Sequence, residues 1–344
     1  MNILSIETSC DETAVAVLEI KGQNYKVLAN LVSSQIEIHK KYGGVVPEVA
    51  ARKHVENIMP LLGQALEQNK LKPQDIDAIS VVYGPGLITA LIIGIETAKT
   101  LAFAWDKPLI PINHIKAHIL ANWLKGEQGK LQKIKFPALC LVVSGGHTSL
   151  VLLQGVDKMK IIGQTRDDAV GEAFDKVAKL MDLGYPGGPI ISQLAKKGNP
   201  QAFALPRPML KDKNYDFSFS GLKTAVRYEL EKVKKINQQI KTDMAASFQQ
   251  ACIEVLIAKT IRAAQEFKVK SVLLGGGVSA NKELRQQLEL EVNKFENFKF
   301  YQPDLSLTTD NALMVAIAGY WEYAEKNGLK EGWQKVKVDP NATI

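Results

Sequence analysis

A chain of 344 residues, 46% hydrophobic and 23% charged, is long enough for two domains with cores of their own, and it is neither disordered nor fibrous in composition. Its net charge of +7 permits a polyanionic partner without naming one, because the lysines and arginines are scattered. Cys10, Cys140 and Cys252 are odd in number and far apart, which argues against a disulfide framework and for a reducing cytoplasm. MNILSIETSCDE lacks the basic start of a signal peptide, and Glu96 and Lys99 break the best apolar run, so neither a signal peptide nor a membrane span is expected.

In chain order, Asn2–Glu7 reads as a buried strand and Thr13–Ile20 as its neighbour, joined by the polar turn Thr8–Glu12. Tyr25–Val32 makes a third strand. A loop at Lys40–Gly44 precedes a helical pattern from Pro47 to Asn69, with a kink expected at Pro60. A strand at Ala78–Tyr83, a glycine turn at 84–86 and a small-residue helix, Leu87–Ala104, follow. Pro108–Ile112 is the last strand before Asn113, a good N-cap for a helix that begins at His114.

The second half repeats this order. Strands at Ala138–Val143, Thr148–Gln154 and Met159–Thr165 are followed by helices at Asp168–Asp182, Ile190–Lys197 and Thr242–Phe267. Strand Ser271–Leu274 ends in three glycines that open a helix Ser279–Phe295, and strand Phe298–Gln302 and helix Thr309–Lys326 complete the copy. Matched order without residue-level repetition suggests duplication: two mixed α/β lobes with ligand loops at equivalent strand ends, facing a cleft. In outline the chain is similar to the superfamily of actin, sugar and acetate kinases and heat-shock chaperones, whose lobes are RNase H-like. The expected boundaries are 1–112 for the first lobe, 113–307 for the second with a crossing helix at 113–135, and 308–344 for a helix and tail that close the cleft.

His114 and His118 are the first candidate for chemistry. At i and i+4 they share one helix face, and a helix N-terminus favours neutral imidazole, the form a metal binds. Spacing alone leaves a ligand pair and a packed face equally open. A third ligand is required, and Asp310, expected to open the last helix, is the acid best placed to supply it. Two histidines and a carboxylate suit ferrous iron or catalytic zinc. A zinc peptidase of the HExxH type would need glutamate where Ile115 stands.

Four other stretches could face a nucleotide. Gly275–Gly277 lets a ligand approach the backbone at a helix N-terminus, with Asn281 in the first turn beyond it. It lacks the lysine and serine of a P-loop. Val142-Val143-Ser144-Gly145-Gly146 leads into a hairpin turn rich in amides and hydroxyls, suited to a phosphate or carboxylate. Asp175 is the kind of carboxylate that accepts from both ribose hydroxyls, or else an exposed helix acid. Tyr185–Pro189, with Gly188 at its centre, can press amides against a ligand or merely join two helices. The turn bearing Asp11 and Glu12 is the first-half equivalent of residues 144–147.

Taken together, IETSCDETAVAV, YGPGLITALIIGIETAK, NHIKAH, LVVSGGHT, GEAFDKVAKL, YPGGP, FSFSGLKTAV, GGGVSANKELR and TDNALM closely resemble the bacterial tRNA threonylcarbamoyladenosine synthesis transferases, once described as sialoglycoprotein endopeptidases. The resemblance runs from residue 1 to about 326 and implies transfer of L-threonylcarbamoyl from threonylcarbamoyl-AMP to the exocyclic amine of adenosine 37 in tRNAs that read codons beginning with adenine. It implies one divalent metal, Fe2+ before Zn2+, on His114, His118 and Asp310. The adenylate contacts it implies are Val142, Val143, Ser144, Gly145, Gly146, Asp175, Gly188 and Asn281. Many relatives carry an acid where this chain has Ser192, so no ribose contact is expected there. Asp11 and Glu12 are the candidates for handling the amine proton. The partners implied are tRNA, a shorter paralogue that pairs with the first lobe, and a small P-loop ATPase, in the cytoplasm and without a membrane. The alternatives are an ATP-dependent small-molecule kinase, for which HxxxH is superfluous, a metallopeptidase, which the missing glutamate opposes, and a non-catalytic actin-like scaffold.

Overall fold

The computed structural model describes residues 1–233, 235–325 and 332–344. The chain divides into two compact units, Met1–Lys133 with Pro303–Ile344, and Ile134–Gln302.

The first unit is built on a six-stranded sheet. Strands β1 (Asn2–Glu7), β2 (Glu12–Lys21) and β3 (Asn24–Ser34) form an antiparallel meander. A one-turn helix α1 (Ile36–His39) and the long α2 (Pro47–Glu67) follow, and α2 runs on as one helix through Pro60. Then come β4 (Ala78–Gly84), α3 (Ile88–Trp105), β5 (Leu109–Asn113), α4 (His114–Leu120) and the short edge strand β6 (Gln128–Lys130). The strand order is β5-β4-β1-β2-β3-β6, with β4 and β5 parallel to β1.

Side-chain alternation along a strand explains why helices cover both faces. Leu4, Ile6, Val15, Val17, Ile79 and Val81 form one core with Ile58 and Leu62 of α2 and Ile95 and Ala98 of α3. The alternate residues meet the C-terminal helix Ala312–Glu325: the Ser80 hydroxyl donates to the Val315 carbonyl at 3.3 Å, and a Cβ on Gly319 would lie 2.8 Å from that of Ser80. The 18 residues of α3 are apolar enough, by length and composition, to cross a membrane, yet α3 packs on β4 and α2 with 39% of its residues buried.

The second unit repeats the plan. Strands β7 (Ala138–Val143), β8 (Thr148–Leu153) and β9 (Met159–Gln164) make a meander. Helices α5 (Val170–Leu180), α6 (Gly187–Ala195), α7 (Ser220–Glu231) and α8 (Gln238–Glu266) follow, and then β10 (Ser271–Gly275), α9 (Lys282–Val292) and β11 (Lys299–Tyr301). The order β11-β10-β7-β8-β9, with β10 and β11 parallel to β7, matches β5-β4-β1-β2-β3 strand for strand. Helix α8 is buried on most sides, as its apolar residues around the whole circumference require.

The structure moves several expected boundaries. The division falls after Lys133 and after Gln302, so α4 and the C-terminal helix both belong to the first unit. The reason is packing: Lys116 of α4 pairs with Glu322 of the C-terminal helix, and Trp123 lies edge-on to Trp321 at 6.4 Å. Residues 185–189 are no free turn, because Gly187 opens α6 with Pro186 as its N-cap. Gly277–Ala280 forms a 3-10 turn, so α9 starts at Lys282 instead of Ser279. Helix α7 was not anticipated, although Leu222, Val226 and Leu230 recur along it at four-residue spacing. The final helix begins at Ala312 with Asp310 just before it, and the expected end at Lys326 lies outside the described residues.

Candidate metal centre and nucleotide loops

Within the first unit, α4 starts where the sequence predicts. The Asn113 side-chain carbonyl accepts from the amides of Ile115 at 2.9 Å and Lys116 at 3.1 Å, which caps the helix. His114 and His118 then stand on one face with ring centroids 4.6 Å apart and planes at 84°. Asp310 comes to meet them: its Oδ1 lies 3.1 Å from His118 Nε2 and 3.6 Å from His114 Nε2. One donor atom from each residue falls within 4.8 Å of the others.

The rest of His114 is fixed by a contact that sequence reasoning missed. Glu7, fully buried at the end of β1, sets Oε2 3.1 Å from His114 Nδ1, while its Oε1 accepts the Ser9 amide at 2.5 Å. Ser9 Oγ also lies 3.1 Å from Nδ1. The ring therefore carries its proton on Nδ1 and turns the Nε2 lone pair toward the Asp310 oxygen. A lone pair facing a carboxylate at this range repels unless a cation lies between. In metal-free protein a proton serves: burial opposes charging His114, but Asp310 and Glu7 outweigh it and raise its pKa to about 9. This overturns the expectation that the helix N-terminus keeps that ring neutral, since two nearby carboxylates act more strongly than a partial dipole charge. The donor set fits a divalent metal, which would replace the proton.

The acidic turn is held against the same unit. His54, buried in α2, lies 3.0 Å from the Cys10 carbonyl through Nε2 and 2.8 Å from the Thr13 hydroxyl through Nδ1. Burial lowers its pKa, so the neutral ring donates to the first and accepts from the second. The Gln35 amide donates to the Asp11 carbonyl at 3.0 Å, and the Ser34 hydroxyl to Glu12 Oε1 at 3.1 Å. Gly94 of α3 leaves room for the Thr8 hydroxyl, which a Cβ there would strike. Burial, then the charges of Asp310 and Asp11, push the Glu12 carboxyl well above the usual carboxylate range. Burial and the Asp11 charge likewise raise the Cys10 thiol, so it is no nucleophile.

In the second unit the expected adenylate residues sort by what surrounds them. Val142 and Val143 are buried in β7 and paired with Ser149 and Thr148, so only their main chain could serve a ligand. The Ser144 amide is spent within the hairpin on the His147 carbonyl at 2.8 Å, which leaves Gly145 and Gly146, with open space at their Cα atoms, as the outward part of the turn. Gly171 lets α5 press on that turn, for a Cβ there would come within 2.6 Å of the Ser144 carbonyl. Asp175 Oδ1 accepts the Gly187 amide at 2.7 Å, which ties α5 to the first turn of α6, and Gly188 beside it faces open space. Asn281 differs from expectation. It is the N-cap of α9, accepting from the Leu284 amide at 3.1 Å, and its Nδ2 donates to Gln249 Oε1 at 2.8 Å. Ser192 Oγ also donates to that oxygen, at 3.0 Å. Ser192 and Gln249 border a cavity of about 330 Å³ lined further by Lys196, Lys282 and Glu283, and Asn281 reaches its wall through Gln249.

Two α/β units of the same strand order, the first bearing a His–His–carboxylate set, define a protein of the actin, sugar-kinase and heat-shock-chaperone fold class. The HypF structure from T. kodakarensis is similar over 96% of this chain and 49% of its own, with a TM-score of 0.64 and 15% identity. Component A of (R)-2-hydroxyglutaryl-CoA dehydratase from Acidaminococcus fermentans is similar over 94% and 99%, with a TM-score of 0.54 and 14% identity. The sequence narrows the class. A model of the tRNA N6-adenosine threonylcarbamoyltransferase family matches residues 26–317. Proteins of that name from Thermosipho melanesiensis and Thermosipho africanus are 52% identical over 93% of this chain and 94% of theirs, and 49% identical over the full length of both. The chain belongs to the tRNA N6-adenosine threonylcarbamoyltransferase family. The kinase and peptidase alternatives find no support in these relationships.

Proposed function

We infer that this enzyme transfers L-threonylcarbamoyl from threonylcarbamoyl-AMP to the N6 amine of adenosine 37 in tRNAs reading codons that begin with adenine, releasing AMP. The observation that carries the reading is the convergence of His114, His118 and Asp310, with donor atoms within 4.8 Å, in a chain of this transferase family.

The chemistry sets three requirements. The donor is a mixed anhydride with a good leaving group, whereas the acceptor amine is poor because its lone pair is delocalised into the purine. The carbamoyl carbonyl must be polarised, the amine positioned and its proton removed. His114, His118 and Asp310 would hold one divalent metal, Fe2+ before Zn2+, whose chemistry when bound is Lewis acidity toward an oxygen. Glu7 keeps His114 in the tautomer that presents Nε2. Glu12, its carboxyl raised by burial and neighbouring charge, is the proton acceptor of the acidic turn, with Asp11 beside it. In the second unit, the backbone of Gly145 and Gly146, carried at the end of Val142–Ser144, and the first turn of α6 at Gly188 suit the adenylate phosphate, and Asp175 the ribose. Asn281 serves the base end through its contact with Gln249.

The exposed apolar residues Val55 and Met59 on α2 and Ile88 and Ile92 on α3 support pairing of the first unit with a shorter paralogous subunit. A small P-loop ATPase completes the proposed cytoplasmic assembly. The test is to mix purified protein and partners with threonylcarbamoyl-AMP and unmodified tRNA, digest the tRNA, and measure the modified nucleoside by mass spectrometry. Product that depends on the chain is expected, and its absence from an intact, metal-loaded assembly would sink the reading.

A further inference from the structure

We propose that Tyr42, with Lys40 and Lys41, is a docking point for single-stranded tRNA bases that adjoin the acceptor adenosine. The proposal rests on the transfer reading and adds to it a binding site for the nucleic acid.

Residues 39–46 form a short loop with a rigid base. His39, wholly buried, receives the Val46 amide on Nδ1 at 3.3 Å and faces Gln35 Oε1 through Nε2 at 3.3 Å, so one ring clasps both ends of the loop. The Gly44 amide returns to the His39 carbonyl at 3.4 Å, and Gly43 turns the chain with φ +72°. The tip that this base holds up is Lys40-Lys41-Tyr42, exposed throughout, with Tyr42 62% accessible.

Tyr42 is unlike the other exposed rings. Phe103 packs edge-on to Trp333 at 5.5 Å, and Arg227 lies over Tyr228 at 5.3 Å. Among the described residues Tyr42 has no ring, cation or hydrogen-bond contact. A bare aromatic ring beside two lysines is the pairing that single-stranded nucleic acid uses: bases stack on the ring and phosphates are met by the cations. Lys40 has Glu37 at 3.8 Å, but both groups are exposed, so that pair costs little to rearrange.

The loop also starts at the acidic turn. Gln35 donates its amide to Asp11, Ser34 its hydroxyl to Glu12, and Tyr42 follows seven residues after Gln35. At about 1.5–2 Å per residue of helical rise, the ring lies within roughly 14 Å of that turn along the chain. Stacked nucleotides rise about 3.4 Å each, so the span is on the order of four bases. With the acceptor adenosine at Glu12, the loop can stack a base nearby in the same single-stranded segment.

The experiment measures steady-state transfer by the complete assembly with full-length chain, varying tRNA and donor separately. Tyr42→Ala is expected to raise KM for tRNA about ten-fold, with KM for threonylcarbamoyl-AMP unmoved. Tyr42→Phe should retain the wild-type KM, since stacking needs the ring and not the hydroxyl. Lys40→Ala with Lys41→Ala should raise KM for tRNA and flatten its logarithmic salt dependence by roughly 1.4. An unchanged KM for tRNA in Tyr42→Ala, or a defect confined to kcat or to the donor, overturns the proposal. Absence of any product from the wild-type assembly is a different result, because it removes the transfer reading itself.

Discussion

Glu7 ends β1 with a carboxylate that has no access to water, and the strand before it is apolar apart from Asn2 at its start and Ser5. A buried charge in such a place needs partners, and it has two: the Ser9 amide and the His114 ring. Its role beside a metal ligand makes a measurable claim. Glu7→Gln keeps the shape and removes the charge, so metal affinity should weaken about 10–100-fold in a competition titration against a chromophoric chelator. Unchanged affinity would show that Glu7 is only a satisfied core acid. Glu12 makes a second claim at this scale. Asp11 is among the charges that raise its carboxyl, after burial and Asp310. Asp11→Asn should therefore lower the Glu12 pKa and move the acid limb of the kcat/KM–pH profile to lower pH. A limb that stays in place, or moves up, would remove Glu12 as the titrating base. The two histidines were legible because their spacing is a local fact, and Asp310, 192 residues from His118, was named from its place before the last helix. Glu7, Ser9 and His54 were not, since they act across 107, 105 and 44 residues of chain, and only a buried acid in an apolar strand hinted at the first.

At the scale of elements, the site depends on where helices begin. The α4 cap was readable from Asn113 alone, and two amides on its carbonyl bear that out. Asn113→Ala should cost about 1 kcal/mol, seen as a lower urea midpoint with unchanged slope. A midpoint equal to wild type would mean that packing, and not the cap, fixes the start of α4. The turn at residues 185–189 joins two helices, one of its two readings, but α6 starts earlier than Ile190 because glycine and proline also suit a helix N-terminus, where neither breaks a hydrogen bond. Asn281 was misplaced for a related reason: the three preceding glycines allow a 3-10 turn that delays α9. The consequence is chemical, because the Asn281 side-chain carbonyl caps its own helix and only its Nδ2 reaches outward, to Gln249.

For the whole molecule, the duplicated order of strands was visible in the alternation of apolar runs and glycine turns, and both sheets carry it in the same sense. The division of the chain was not visible, since the ion pair of Lys116 with Glu322 and the contact of Trp123 with Trp321 join segments about 200 residues apart. That pairing places all three candidate metal ligands in one unit. The central claim is that these residues hold a metal the transfer requires. It is tested most directly by stripping the protein of metal, restoring Fe2+ stepwise, and following single-turnover transfer from preformed threonylcarbamoyl-AMP to tRNA in wild type and His118→Ala. The account predicts a rate that rises with metal and saturates at one ion per chain, with no recovery in His118→Ala. Full transfer by the stripped protein would contradict it.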